Sequence, residues 1–115
     1  MRTTKILFVC SANIDRSPTA ERIYANQPTL EVKSAGTSRF ARIPLSAELV
    51  SWADVILCME DRHQQFINET YPDIIVHKKI DTLHVTDIYS YVEPILKKII
   101  KEKVDEWLDL YHYVQ

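Results

Sequence analysis

Four short apolar runs alternate along the sequence with four segments of helical character. The predicted strands cover residues 5–10, 30–35, 55–59 and 79–85, and the predicted helices cover residues 17–26, 46–53, 60–69 and 93–111. Consecutive strands separated by helices pair in parallel, because each helix carries the chain back to the edge where the previous strand began. The order therefore predicts an α/β fold, a three-layer sandwich in which a four-stranded parallel sheet is flanked by helices on both faces. The last helix is expected to bury one stripe, formed by Ile95, Leu96, Ile99, Ile100, Val104, Trp107, Leu108 and Tyr111.

The composition is that of one compact soluble domain spanning residues 1–115. Of the 115 residues, 46% are hydrophobic and 26% are charged, and the formal net charge is −2. Basic and acidic residues are scattered without a long run of either sign, which argues against binding of nucleic acid or of an anionic membrane. The first apolar run, residues 6–10, is too short for a secretory signal or a membrane span, so we expect a cytoplasmic protein.

Cysteine and histidine usage argues against a disulfide framework and a metal site. Cys10 and Cys58 both lie in apolar runs, which favours reduced thiols. The histidines lack the close spacing of metal ligands, since they are dispersed over His63, His77, His84 and His112. We therefore predict no metal and no cofactor.

The stretch VCSANIDRSPTAE, residues 9–21, joins the first predicted strand to the first predicted helix. A loop that turns from a buried strand into a helix start can direct its backbone N–H groups at one centre, where the helix dipole adds positive potential. Such a loop suits a phosphate group. The residues expected to bind it are Ser11, Ala12, Asn13, Ile14, Asp15, Arg16 and Ser17.

Three side chains give this loop its chemical character. Cys10 would face the backbone dipoles and the Arg16 guanidinium, which favour the nucleophilic thiolate. The planar fork of Arg16 matches two phosphate oxygens, and the Ser17 hydroxyl can donate a hydrogen bond to the thiolate. Taken singly, a buried cysteine or an arginine near a helix start is explained as well by structure alone. Their combination favours an active site.

The local backbone gives two further expectations. The loop contains no glycine, so Asn13 is expected to take a left-handed conformation, although by itself it also fits an ordinary turn. Ser17 before Pro18 predicts the helix start, with the hydroxyl as cap and the proline at the first helical position.

The stretch ILFVCSANIDRSPTAE resembles the signature of the low-molecular-weight protein tyrosine phosphatase family. The resemblance extends, in the same order, to SAGTS at 34–38, ADVILCME at 53–60 and TDIY at 86–89. The sequence is most similar to a shortened bacterial branch of predicted tyrosine phosphatases. This resemblance implies that Cys10 is the nucleophile, that Arg16 binds phosphate and that Ser17 stabilises the thiolate. It also implies that Asn13 braces the loop and that Ser34 anchors Asn13.

Phosphate ester hydrolysis also needs a carboxylic acid that protonates the leaving oxygen. Asp54 precedes the third predicted strand and Asp81 lies within the fourth, whereas Glu60, Asp61 and Asp87 follow strand ends on the correct side of the sheet. Asp61 is better explained as a helix cap. A loop aspartate taken alone is most often a turn residue.

The resemblance selects Asp87 among these acids. TDIY resembles the Asp-Pro-Tyr of the family, which implies that Asp87 is the general acid and then the base for water, and that Tyr89 flanks the substrate. The rings of Tyr89 and Tyr91 would also suit an aromatic leaving group. Ile88 stands where the family usually has proline.

Asp15 is a second departure from the family pattern. It occupies a position where many members carry another cysteine, which excludes a disulfide with Cys10 inside the loop. Its charge should disfavour the thiolate and weaken phosphate binding, unless the carboxylate points to solvent or pairs with Arg39 or Arg42.

The segment RFARIPL, residues 39–45, is shorter than its counterpart in the family. Two interpretations are open: Arg39, Phe40 and Arg42 form a basic, aromatic rim for an acidic or phosphorylated partner, or the segment is a solvated loop with Phe40 packed in the core.

These observations predict a cysteine-dependent phosphatase that hydrolyses phosphomonoesters through a phosphocysteine, with protein tyrosine phosphatase favoured. The expected substrate is a phosphorylated protein or a small phosphate ester. The alternative is a phosphate-binding module with little or no catalysis. Arsenate reduction is less favoured because it needs further relay cysteines, and Cys58 lies in mid-strand as inert packing. Both a monomer and a homo-oligomer fit the apolar stripe of the last helix.

Overall fold

The computed structural model describes residues 3–114, with side chains described through residue 111. The strands are β1 (Thr4–Cys10), β2 (Leu30–Gly36), β3 (Val55–Cys58) and β4 (Lys79–Thr82), and the helices are α1 (Arg16–Tyr24), α2 (Ala47–Trp52), α3 (Asp61–Thr70) and α4 (Pro94–Val114). All strand pairs are parallel, in the order β2-β1-β3-β4. The predicted four-stranded parallel sheet is confirmed.

Alternate side chains of the central strands enter two separate cores. Ile6 and Phe8 of β1 face a core closed by α1 and α4, whereas Leu7 and Val9 face a core closed by α2 and α3. These four side chains are fully buried, which explains why β1 is a continuous apolar run rather than an alternating one. The predicted three-layer arrangement is confirmed.

The carboxyl ends of the strands form one edge of the sheet, and the chain beyond β4 continues along it. The backbone N–H groups of Leu83 and Val85 still donate to the carbonyls of Cys58 and Met59, at 2.7 and 2.8 Å. The predicted strand 79–85 nevertheless ends at Thr82, because His84 has a φ of 59°, which interrupts the extended backbone.

Two predicted helix starts are wrong. Helix α1 begins at Arg16, with Asp15 at the cap position, so Pro18 is its third residue and the Ser17 hydroxyl is not the cap. Helix α3 is capped by Glu60 instead of Asp61. The favoured cap lies two residues too late in α1 and one residue too late in α3.

Helix α4 buries a narrower stripe than predicted. Leu96, Ile100 and Val104 are fully buried, one helical turn apart, whereas Ile95 is 56% exposed and its predicted place in the core is wrong.

The connection between α3 and β4 contains a turn of 3-10 helix, Ile75–His77, that the sequence did not predict. No helix within residues 3–114 combines the length and the apolar character needed to cross a membrane.

Candidate active site

The loop of residues 10–16, called the Cys10 loop below, turns its carbonyl groups toward residues 37–42. The carbonyls of residues 10–13 accept hydrogen bonds of 2.9–3.0 Å from Thr37 N, Ser38 N, Arg42 N and Arg42 Nε. In a planar trans peptide the N–H points opposite to the carbonyl, so the N–H groups of residues 11–14 point away from that segment. None of these N–H groups has a hydrogen-bond partner among residues 3–114. They are oriented to bind an anion.

Gly36 allows this close approach. A Cβ atom at this position would lie 2.4 Å from the carbonyl oxygen of Ser11 and 2.6 Å from the Cβ of Ala41. Any side chain would push the Cys10 loop away from the end of β2, so glycine is required here by space rather than by a positive φ.

Asn13 braces the loop from inside. Its φ of 55° confirms the predicted left-handed conformation. The buried Nδ2 group donates to the Ser17 hydroxyl at 2.8 Å and to the Ser34 hydroxyl at 2.9 Å. Ser34 in turn donates to Glu21 Oε1 at 2.5 Å. The chain of hydrogen bonds therefore ties the loop to β2 and α1.

The Cys10 thiol is part of the same network. Its Sγ lies 2.9 Å from the Ser17 hydroxyl oxygen, and both residues are buried. The Ser17 oxygen accepts from Asn13, and the Ser17 hydroxyl can donate to the sulfur or to the Ala35 carbonyl, 3.4 Å away. This engagement explains why Ser17 does not cap α1.

Arg16 is buried, with only 2% of its side chain exposed. Its Nη1 donates to the Val85 carbonyl at 2.9 Å and forms an ion pair with Glu60, and its Nε lies 3.6 Å from Asp87 Oδ1. Burial disfavours the Glu60 carboxylate, but hydrogen bonds from Arg16 and Arg62 outweigh this and hold the pKa of Glu60 below its usual value. From the sequence Glu60 was only a possible acid, and its role as the partner that fixes Arg16 was not predicted.

His63 connects the Cys10 loop to the start of α3. Its Nδ1 accepts from the backbone N–H of Glu60 at 3.0 Å, and its Nε2 lies 2.8 Å from the Ser11 hydroxyl. Burial, followed by the nearby Arg16 charge, lowers the pKa of His63 to about 4. The imidazole is therefore neutral at pH 7, with its single proton on Nε2 and directed to Ser11. From the sequence His63 was only a possible metal ligand, although its spacing from Glu60 is that of a capping box.

A cavity of about 70 Å³ lies above the Cys10 loop. Its walls are formed by Cys10, Ala12, Ile14, Asp15, Arg16 and Asp87. This volume is far below the roughly 300–1,000 Å³ of a typical small-molecule pocket, so it suits one small group rather than a whole ligand. The structure thus brings the predicted nucleophile, arginine and acid together.

Tyr89 and Asp15, both predicted at the site, have contacts that the sequence did not predict. Tyr89 is half-buried and packs against the core under α1 and α4. Asp15 borders the cavity but pairs with neither Arg39 nor Arg42; its Oδ1 accepts a 2.8 Å hydrogen bond from the backbone N–H of Tyr91.

The exposure of Phe40 contradicts one of the two interpretations of residues 39–45. Phe40 is 82% exposed, so packing of this ring in the core is wrong, and the Arg39 guanidinium lies 4.8 Å from the ring centroid. Arg42 supports the Cys10 loop through the Asn13 carbonyl.

Cys58 is fully buried in β3, and burial followed by the Asp81 charge raises the pKa of its thiol. Among the residues that the structure describes, no cluster of three or more His, Cys, Asp or Glu side chains has the arrangement of a metal site.

Comparison with known proteins identifies the family. The family described as low molecular weight phosphotyrosine protein phosphatase matches residues 5–43, which include β1 except Thr4, the Cys10 loop, α1 and β2. The chain is 35% identical over 96 residues to the low molecular weight protein-tyrosine-phosphatase Ptp of Acinetobacter johnsonii, covering 63% of this chain and 68% of that protein. It is 32% identical over 93 residues to a protein-arginine-phosphatase of Geobacillus stearothermophilus, covering 60% of this chain and 63% of that protein.

The fold agrees with these matches. The crystal structure of the tyrosine phosphatase AmsI of Erwinia amylovora superposes with a TM-score of 0.74 at 21% identity, over 94% of this chain and 93% of that one. The chain belongs to the low molecular weight phosphotyrosine protein phosphatase family.

Proposed function

We propose that this protein is a cysteine-dependent phosphatase that hydrolyses protein phosphotyrosine through a phosphocysteine intermediate. One observation carries the proposal: Cys10 and Arg16 border the same small cavity, beside the inward N–H groups of residues 11–14. These donors supply the positive field that a phosphoryl group needs in the transition state. No cofactor is required for this chemistry.

In the first step, Cys10 Sγ attacks phosphorus and the bond between phosphorus and the ester oxygen breaks. Asp87, in its protonated form, gives its proton to the departing oxygen, so the leaving group departs as a neutral phenol. Arg16 binds the equatorial phosphate oxygens with the N–H groups that its partners leave free, and Glu60 keeps the guanidinium from rotating away.

In the second step, the Asp87 carboxylate takes a proton from water as the water oxygen attacks phosphorus. The bond between sulfur and phosphorus breaks, inorganic phosphate leaves, and the thiolate is restored. The Ser17 hydroxyl donates to the sulfur as charge returns to it. Asp87 ends the cycle protonated, as it began.

An apolar rim supports phosphotyrosine as the substrate. Ile14 borders the cavity with 58% of the residue exposed, and Ile88, next to Asp87, is 70% exposed. Exposed isoleucine side chains can pack on the faces of a phenol ring.

Two carboxylates at the same cavity, Asp15 and Asp87, favour phosphoarginine as a second candidate, because they can pair with a guanidinium. A relative that is an arginine phosphatase adds to this second candidate.

Hydrolysis of p-nitrophenyl phosphate between about pH 4.5 and 8 tests the reaction. We expect Cys10→Ser to remove activity and Asp87→Asn to lower kcat/KM by about 100-fold, within the usual range for loss of a general acid. Asp73→Asn is the matched control, since Asp73 is exposed and follows α3 at the opposite edge of the sheet. An acid-labile phosphoenzyme should be trapped with the native protein. Phosphate binding without a phosphoenzyme or turnover would instead favour the binding module.

Two peptides of the same sequence that differ only in the phosphorylated residue test the substrate. We expect kcat/KM to favour phosphotyrosine over phosphoarginine by at least about 10-fold, a preference within reach of pocket contacts alone. The reverse order would replace phosphotyrosine by phosphoarginine and leave the mechanism above in place.

A further inference from the structure

The segment that carries Asp87, residues 86–90, is held at both ends from the Cys10 loop. Before it, Arg16 Nη1 donates to the Val85 carbonyl at 2.9 Å. After it, the Tyr91 backbone N–H donates to Asp15 Oδ1 at 2.8 Å, across 76 residues of sequence. We call residues 86–90 the acid segment. Two consecutive residues of the Cys10 loop therefore hold its two ends.

Thr19 strengthens the second attachment. Its hydroxyl donates to the Asp15 carbonyl at 2.6 Å and accepts from the Val92 backbone N–H at 2.9 Å. Asp15 thus contacts the end of the acid segment directly through its carboxylate and indirectly through its carbonyl. The same residue stands at the cap position of α1, so the helix start and the acid segment share one support.

The backbone at this attachment is strained. Val92 has a φ of 51°, in the left-handed region that β-branched residues rarely enter. Such a conformation persists only where surrounding contacts determine it. The Tyr91 and Val92 N–H groups donate to Asp15 and Thr19, and together with the hydrogen bonds between Ser90 and Glu93 these contacts hold the strained backbone.

The acid segment has few other attachments. The backbone groups of residues 86–89 form no hydrogen bond with any described residue. The Asp87 side chain is 56% exposed and Ile88 is 70% exposed, so neither is fixed by packing. Among the side chains of residues 86–90, all of which the structure describes, Tyr89 packs against the core. Two other contacts bear on this segment: the Asp87 carboxylate lies 3.6 Å from Arg16 Nε, and the Ser90 N–H donates to Glu93 Oε2 at 2.9 Å. The position of Asp87 therefore depends on its ion pair with Arg16 and on the attachments at Val85, Ser90 and Tyr91.

We propose that Asp15 is a positioning residue for Asp87, which it holds over the cavity through the hydrogen bond to Tyr91 N–H. The proposal rests on the proposed function, because it assigns Asp87 the proton that goes to the leaving oxygen. It gives Asp15 a role separate from its charge. The charge opposes a phosphate dianion at the cavity, whereas the hydrogen bond serves the acid.

Two substitutions at Asp15 separate these effects. Asp15→Asn removes the charge and retains an oxygen that can accept from Tyr91 N–H. Asp15→Ala removes both. Asp73→Ala is the matched control, since it deletes an exposed carboxylate at the other edge of the sheet.

The kinetic test compares phenyl phosphate, whose leaving oxygen must be protonated, with 2,4-dinitrophenyl phosphate, whose leaving group departs as an anion. We expect Asp15→Ala to lower the ratio of the two kcat/KM values by about 10-fold, and Asp15→Asn to keep it within about 2-fold of native. Asp87→Ala should lower the ratio by about 100-fold, and adding Asp15→Ala to it should change the ratio no further. An equal loss on both substrates, or an additive double variant, would overturn the proposal.

Hydrogen exchange of the Tyr91 and Val92 amides tests the attachment without catalysis. We expect these amides to exchange at least about 10-fold faster in Asp15→Ala than in the native protein or in Asp15→Asn. Unchanged exchange in Asp15→Ala would refute the attachment even if the enzyme is active. Faster exchange in a protein that hydrolyses neither substrate would locate the failure in the proposed function instead.

Discussion

Acid should destabilise this protein through His63 well before the carboxylates protonate. The imidazole is 1% exposed, and its pKa falls from 6.5 to about 4 in the folded state. A second proton would have to go on Nδ1, which faces the Glu60 N–H donor. Arg16 and Arg62 oppose this proton, whereas Glu60 and Asp87 favour it and only partly compensate.

The size of the effect follows from the two pKa values of His63. Between pH 6.5 and 4 the unfolded chain binds more protons than the folded one, so the free energy of unfolding falls as the pH falls. The complete loss is about 3 kcal/mol, since each unit of pKa shift corresponds to about 1.4 kcal/mol. Near pH 5 the difference is roughly 0.9 proton, which gives a slope of about 1.2 kcal/mol per pH unit.

Urea unfolding of the native protein and of His63→Gln at pH 7, 6 and 5 measures this slope. Glutamine at this position can still accept from the Glu60 N–H, because it completes a capping box, but it does not titrate. Loss of the Ser11 contact should shift the free energy of the variant by a constant amount at every pH. Parallel pH dependences for the two proteins would refute the assignment of the proton linkage to His63.

Three further predictions concern the Cys10 loop and its surroundings. Gly36→Ala should lower the free energy of unfolding by about 3 kcal/mol and abolish phosphate binding, because the new Cβ would lie 2.4 Å from the Ser11 carbonyl oxygen. Urea unfolding and phosphate titration measure the two effects, and a variant as stable as the native protein would contradict the prediction. Asn13→Ala should lower the free energy of unfolding by about 2–4 kcal/mol, because it removes two buried hydrogen bonds and places alanine in a left-handed conformation. Asn13→Gly should lower it by about 1 kcal/mol less, because glycine accepts that conformation without strain. Equal losses in the two variants would show that the backbone is not strained for alanine. Iodoacetamide at pH 7 should modify Cys10, which borders the cavity, and leave the buried Cys58 unmodified until the protein unfolds, as peptide mass mapping would show.

The parts of the fold that local sequence determines were predicted from it. The apolar run of β1 must be buried on both faces, and its alternation with helices leaves little choice but a parallel sheet. Asn13 was predicted in the left-handed region because a loop without glycine has few other residues that tolerate it. These features depend on residues close together in the chain.

The features that the sequence did not predict depend on residues far apart. Glu60 forms an ion pair with the buried Arg16, 44 residues earlier, and no local signal predicts this pairing. Phe40 is exposed although it is large and apolar, because the neighbouring residues of its segment are bound to the Cys10 loop. The hydrogen bond from Tyr91 to Asp15 likewise has no signature in either segment.

The long sequence separation between Asp15 and Tyr91 has a consequence during synthesis. A ribosome adds roughly 5–20 residues each second, so the 76 residues from Arg16 to Tyr91 take about 4–15 s to make. For most of that interval the nascent chain contains Cys10 and the whole loop around it, but β4 is complete only at Thr82 and Asp87 follows five residues later. The thiol therefore exists before the rest of its site, and a nascent chain stalled in this interval would expose it to alkylation or oxidation.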